Sequence, residues 1–158
     1  MQQFKDISGY LYIHMTDINI RNKSVVVAEF NTTVRELITK LEKKSRSEIE
    51  LANLDRLKKR ISLLKQLQGE NVLLIECTPF MLEYREQILS RNEIFFTTMD
   101  IRAAYLVKKK SVDKQDEFIF DLTDTIRTQY NKATQTEKND VYARVKTLFN
   151  ACIEYTLA

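Results

Sequence analysis

The scarcity of glycine and proline constrains this chain more than any other feature of its sequence. The chain has 2 Gly and 1 Pro among 158 residues, whereas average usage would supply roughly 19 of these two residue types together. An all-β sandwich or barrel needs a tight turn about every 8 to 12 residues, and glycine and proline build many of those turns. The composition therefore argues against such folds and predicts an all-α (mainly α) protein.

Apolar residues recur at helical spacing along most of the chain, which predicts a multi-helix bundle of about five to seven helices. No stretch rich in Gly, Pro or Ser divides the sequence, and its length suits one domain. We therefore expect a single helical domain over residues 1–158. Its predicted parts are an ambiguous N-terminal segment (1–30), a long helical region (31–68), middle helices (78–110) and a C-terminal helical hairpin (113–157).

Polar residues that can cap a first helical turn predict where several helices start. Four such patterns are Ser47 with Glu50, Thr134 with Glu137, Thr33 with Glu36, and Thr78 immediately before Pro79. After the first of them, one apolar stripe predicts a buried helix face that Gly69 ends. The stripe consists of Leu51, Leu54, Leu57, Ile61, Leu64 and Leu67.

Three segments have two interpretations each. Residues 10–28 fit a helix, which the composition favours, or a short β-hairpin, because 10–13 and 25–27 are rich in β-prone residues. Residues 43–47 fit a loop or the exposed side of one long helix. Residues 70–77 fit a buried strand or a helical turn, since a short apolar run has no decisive period.

Residues for the common catalytic sites are missing from this sequence. Two isolated glycines, Gly9 and Gly69, cannot build a phosphate-binding loop. The only histidine, His14, has no second histidine with which to bind zinc, and neither Cys77 nor Cys152 belongs to a nucleophile motif. We therefore expect no enzyme activity, no catalytic residues and no cofactor.

The cysteine content and the apolar runs indicate the cellular compartment. The 2 Cys lie far apart in the chain, so neither a disulfide framework nor a zinc site is suggested, and a reducing compartment is favoured. No apolar run approaches the length of a membrane span, about 18 residues, and the N-terminus lacks a signal-peptide pattern. We expect a soluble intracellular protein without membrane contact, in the cytoplasm or within a virion.

Four acidic residues near the C-terminal third share one helix face, because Asp113, Glu117, Asp121 and Asp124 follow each other at steps of 4, 4 and 3. Carboxylates on one face could bind Mg²⁺ or Ca²⁺. Acids at a helix start are more typical of a solvated face that the helix dipole favours. We therefore predict an acidic partner-binding face and no metal site.

Positive charge concentrates in residues 40–60, which hold eight basic and four acidic side chains. The alternation of signs is typical of an exposed helix surface with ion pairs. We predict a basic partner-binding face made of Lys43, Lys44, Arg46, Arg56, Lys58, Lys59 and Arg60, extended by Lys108, Lys109 and Lys110.

These features favour a non-enzymatic structural or interaction protein. Such a subunit packs into a larger assembly, for example as a minor component of a virion. Its partners would be other protein subunits, including further copies of this chain, with the basic and acidic faces setting their orientation. The alternative is a helical nucleic-acid-binding protein that uses the basic residues of 40–60 and 108–110.

Overall fold

The computed structural model describes residues 21–108 and 114–158, and every regular element in those ranges is a helix. This confirms the mainly α prediction for the described residues. Their eight helices exceed the five to seven expected, because the middle of the chain breaks into several short ones. The helices are α1 (Lys23–Lys44), α2 (Glu48–Gln68), α3 (Val72–Glu83), α4 (Arg85–Leu89), α5 (Glu93–Thr98), α6 (Ile101–Lys108), α7 (Lys114–Lys132) and α8 (Gln135–Leu157).

Helix α1 begins earlier than the capping pattern at Thr33 predicted. The side chain of Asn22 accepts a hydrogen bond from the Ser24 amide and caps the helix. Thr33 lies inside α1, where its hydroxyl donates to the Glu29 carbonyl at 2.8 Å, so the predicted start there is wrong. Residues 25–27 are helical and not a strand, since burial of Val26 overrides β propensity. The remainder of the predicted hairpin, like the rest of 1–20, lies outside the described residues.

The boundaries of α2 confirm the local signals in the sequence. Ser47 caps the helix by accepting from the Glu50 amide, and Gly69 ends it with a φ of 99°. That φ is in the left-handed region that glycine adopts without strain. Helix α1 ends at Lys44, so residues 43–47 contain a loop and do not continue one long helix. Buried Ser45 holds this loop, because Gln129 of α7 donates to its hydroxyl at 3.0 Å.

The 70–77 segment is a turn at residues 70 and 71 and helical from Val72, and this helix, α3, lies at the centre of the bundle. This helix packs against α1, α2, α7 and α8, and Leu73 and Leu74 are fully buried. A helix with neighbours on several sides is apolar around its circumference. This explains why the apolar residues of 70–77 show no decisive helical or strand period in the sequence. The predicted start at Thr78 is wrong: Pro79 lies within α3, and the Thr78 hydroxyl donates to the Leu74 carbonyl.

Helices α7 and α8 are joined by two residues in the region where the sequence predicts a C-terminal hairpin. Thr134 and Glu137 make the complete capping box. Helix α8 packs most extensively on α1, while α7 packs on α2, α5 and α6. The core between them includes the fully buried Phe30, Phe120 and Tyr130. In the part of the chain described, no helix is both long enough and apolar enough to cross a membrane.

Candidate functional site

The predicted acidic face on α7 is bound to arginines of the same chain. Arg60 of α2 donates to Asp121 at 2.8 Å and lies 3.6 Å from Glu117. Arg102 of α6 makes two hydrogen bonds to Glu117, at 2.8 and 2.9 Å. The Arg102 guanidinium holds the pKa of Glu117 below its ordinary value by hydrogen bonding. These carboxylates therefore join α2, α6 and α7 to one another.

The other two predicted acidic residues have different surroundings. Asp124 lies 3.1 Å from Arg127 of its own helix, and burial raises the pKa of Asp124 against the opposing effect of that arginine. Asp113 lies outside the described residues. Among residues 21–108 and 114–158, no three metal-ligating side chains form a cluster. The role of the acidic residues in partner binding stays a prediction.

Several predicted basic residues also have partners within the chain. Lys44 pairs with Glu137, Lys58 with Glu42 at 3.1 Å, and Lys59 with Asp55 at 2.9 Å. These pairs lie on the surface, where each contributes about 0–1 kcal/mol. The pairing leaves much of the basic cluster electrically compensated.

Lys43, Arg46 and Arg56 differ, because none of them forms an ion pair with a described carboxylate. All three are exposed, and Arg56 donates to the Asn53 side chain at 3.0 Å. The Lys108–Lys110 run begins at the last residue of α6, while Lys109 and Lys110 lie outside the described residues. Of the predicted basic residues, the three without a described ion pair therefore lie at the end of α1, in the loop after it and in the first half of α2.

One stripe of exposed residues runs the length of α2, and we call it the outer face. Its members follow at steps of 3, 4, 3, 4 and 4 and span an arc of about 80° at the helical period. Three of them are large apolar residues with high exposed fractions: 74% for Ile49, 54% for Leu63 and 72% for Leu67. The outer face consists of Ile49, Ala52, Arg56, Lys59, Leu63 and Leu67.

The outer face exists because α2 packs on the bundle from one side only. Three of its 21 residues are buried, compared with nine of 22 in α1. The predicted core stripe of α2 is correct for Leu54, Leu57 and Leu64 but wrong for its two ends, since Leu51 is 40% and Leu67 is 72% exposed.

Sequence reasoning missed the outer face, although a signal for it was present. Ile49, Arg56 and Leu63 recur every seven residues, the spacing of a helix seam. The buried leucines carried a stronger helical period, and a second stripe on the same helix was not separated from them.

Within the described part of the chain, an apolar cavity of about 60 Å³ is lined by residues that include Cys77, Met81, Phe96 and Met99. Typical ligand pockets measure roughly 300–1,000 Å³, so this space is a packing defect. Cys77 lies within α3 and not at a helix start, and burial raises its pKa well above the ordinary value. His14 lies outside the described residues.

Comparisons with protein-family models, with curated proteins and with solved structures give no significant match to this chain. Neither a relative nor a shared fold thus supplies a function. The chemistry available for recognition is that of the exposed side chains, of which the outer face of α2 is the largest aligned apolar set described.

Proposed function

We propose that this protein is a non-enzymatic helical subunit that docks a protein partner through the outer face of α2. The observation that supports this is the alignment of Ile49, Leu63 and Leu67 on one helix face at exposed fractions of 54–74%. Single exposed apolar residues are ordinary on protein surfaces, whereas an aligned set beside charged residues is typical of an interaction site.

The size of this set indicates what kind of binding it supports. The exposed fractions of the three side chains together correspond to about two whole residues, so covering them contributes about 3–6 kcal/mol. Association costs about 4–15 kcal/mol, because the two molecules lose translational and rotational freedom. The outer face alone therefore supports weak binding, which suits a subunit held in an assembly by several contacts.

Site-specific photo-crosslinking in an extract of the native cells tests this proposal. A photoreactive residue replaces Leu63 in one variant, Leu67 in a second and the exposed Asn150 of α8 in a third. We expect both α2 variants to form an adduct with the same protein, and the Asn150 variant to form none. Failure of both α2 variants to crosslink, or equal crosslinking from Asn150, rejects the outer face as the docking surface.

Nucleic-acid binding is the second candidate, favoured by the exposure of Lys43, Arg46 and Arg56, which form no ion pair with a carboxylate of residues 21–108 or 114–158. Such binding weakens steeply with salt, with a slope set by the number of phosphates contacted. Filter binding of a duplex at two ionic strengths distinguishes it from protein docking. Tight, salt-sensitive binding that Arg46→Glu and Arg56→Glu abolish would replace the first proposal.

A further inference from the structure

We propose that the partner segment on the outer face of α2 is an amphipathic helix with carboxylates at its centre and apolar side chains at both ends. This inference rests on the proposed function and specifies the chemistry of the partner at that same surface.

The order of side chains along the outer face carries the inference. Ile49 and Ala52 occupy the first end, Arg56 and Lys59 the middle, and Leu63 and Leu67 the second end. The face is about 27 Å long at 1.5 Å per residue. Its steps of three and four are those of a seam that receives a second helix side by side. A helix of about five turns matches both the length and the period.

The charge at the centre of the face is available to a partner. Arg56 forms no ion pair with a described carboxylate and donates to Asn53, while its charge is one of several that lower the pKa of Glu117. It borders a cleft that also contains Glu50, Asp121 and Asp124, but these are bound by Lys132, Arg60 and Arg127 respectively. The guanidinium of Arg56 therefore keeps donors for a bidentate contact with an incoming carboxylate.

Lys59 adds a second positive charge one turn further along the face. Its ion pair with Asp55 is highly exposed, at 79% and 59% of the two side chains, and such a pair holds its lysine weakly. Asp55 itself lies off the outer face. A partner carboxylate opposite Lys59 can therefore compete for the ammonium group.

Two other occupants fit the same face less well. A second copy of α2, in either direction, would place Arg56 and Lys59 against themselves at the centre of the pair, and like charges oppose docking. A nucleic acid would contact the basic centre but leave Ile49, Leu63 and Leu67 in water, since phosphates offer them no apolar surface. A helix with central carboxylates satisfies both the charged and the apolar residues.

Two synthetic helical peptides test the proposal against the purified 158-residue chain. They share leucines at both ends of one face and differ only at two central positions of that face, which are Glu in one and Lys in the other. We expect fluorescence anisotropy to show the Glu peptide binding about tenfold more tightly, with the difference shrinking at high salt. The charge-reversed chain R56E/K59E should prefer the Lys peptide instead.

Control variants separate this specificity from loss of folding. Both reversed residues are exposed, so R56E/K59E should keep the helical circular dichroism of the unmodified chain. Lys146→Glu, an exposed reversal on α8, should leave the preference for the Glu peptide unchanged.

Several outcomes overturn the proposal. In the peptide experiment they are equal affinity for the two peptides, no binding of the Glu peptide, and an unchanged preference in R56E/K59E. Tighter binding of a DNA duplex than of the Glu peptide would identify a nucleic acid as the occupant. A dimer in sedimentation velocity that Leu63→Glu dissociates would identify a second copy of the chain. A crosslinked partner from position 63 without a charge preference leaves the proposed function standing and rejects only this inference.

Discussion

Arg21 donates to the carboxylate of Glu154, a residue 133 positions further along the chain, from its backbone amide at 2.8 Å and from its guanidinium at 2.8 and 3.0 Å. The same guanidinium also binds Glu29 of α1 at 2.7 and 2.9 Å. Glu154 is 3% exposed, near the end of α8. Arg21 thus joins the start of α1 to the end of α8 by hydrogen bonds and ion pairs.

Replacement of Arg21 should therefore destabilise the fold. In Arg21→Met, the buried Glu154 carboxylate keeps its hydrogen bond from the backbone amide of residue 21 but loses its ion pair with the guanidinium. Because Arg21 itself is 39% exposed, we expect a loss of about 1–3 kcal/mol in the free energy of unfolding, below that of a fully buried pair. Urea denaturation followed by circular dichroism measures it. The matched control is Arg46→Met, because Arg46 is exposed and forms no ion pair with a described carboxylate. An equal loss in both variants would contradict the assignment.

The Arg21 effect should also depend on pH. Hydrogen bonding to Arg21 holds the pKa values of Glu154 and Glu29 below the ordinary 4.5. Their contribution is present above that pH and is lost as pH falls through the folded-state pKa, because the unfolded chain then binds more protons. The stability difference between the unmodified chain and Arg21→Met should shrink below about pH 4.5. Urea titrations over a pH series check this, and a difference that grows toward acid would refute it.

Truncation of two leucines of α2 should change the free energy of unfolding by very different amounts. Leu57 is 0% exposed and Leu63 is 54% exposed. Leu57→Ala should cost about 2–5 kcal/mol of stability, whereas Leu63→Ala should change it by about 0.5 kcal/mol or less. Urea denaturation of the two variants makes the comparison on one helix. A large loss at Leu63 would mean that this residue supports folding, which removes the reason for assigning it to a partner.

Both described thiols should be inert in the folded protein. Burial raises the pKa of Cys152 to about 12 and that of Cys77 well above its ordinary value, so little thiolate is present at neutral pH. We expect reaction with a thiol reagent to be slow in buffer and fast in urea, where the core opens. If either cysteine were labelled completely in buffer as fast as a small free thiol reacts, the result would contradict its burial.

The parts of the fold that were predicted correctly depend on interactions between residues close together in the sequence. Ser47 caps α2 and Thr134 caps α8 because each contacts an amide three residues away. Two other capping signals failed: Thr33 and Thr78 are helix-interior residues whose hydroxyls donate to carbonyls four residues earlier. A capping pattern therefore does not by itself distinguish the start of a helix from its interior, because the same hydroxyl can bond to a carbonyl within a helix.

The candidate site divides in the same way between local and tertiary causes. The sequence showed that residues 40–60 are basic and that Glu117 and Asp121 share a helix face. It did not show that Arg60 and Arg102 meet those carboxylates, since Arg60 lies 61 residues from Asp121. Nor did it show which stripe of α2 faces solvent, because both stripes contain leucine.

The amino-acid sequence by itself determined the helical class, the limits of α2 and the start of α8, since glycine scarcity, caps and a positive-φ glycine act within a few residues. Only the tertiary structure decided that α3 is the central helix, that Leu57 is buried while Leu67 is exposed, and that Arg21 holds Glu154. The physical reason is that burial and ion pairing depend on which distant surfaces meet, and a one-dimensional period carries no information about the neighbours that cover each face.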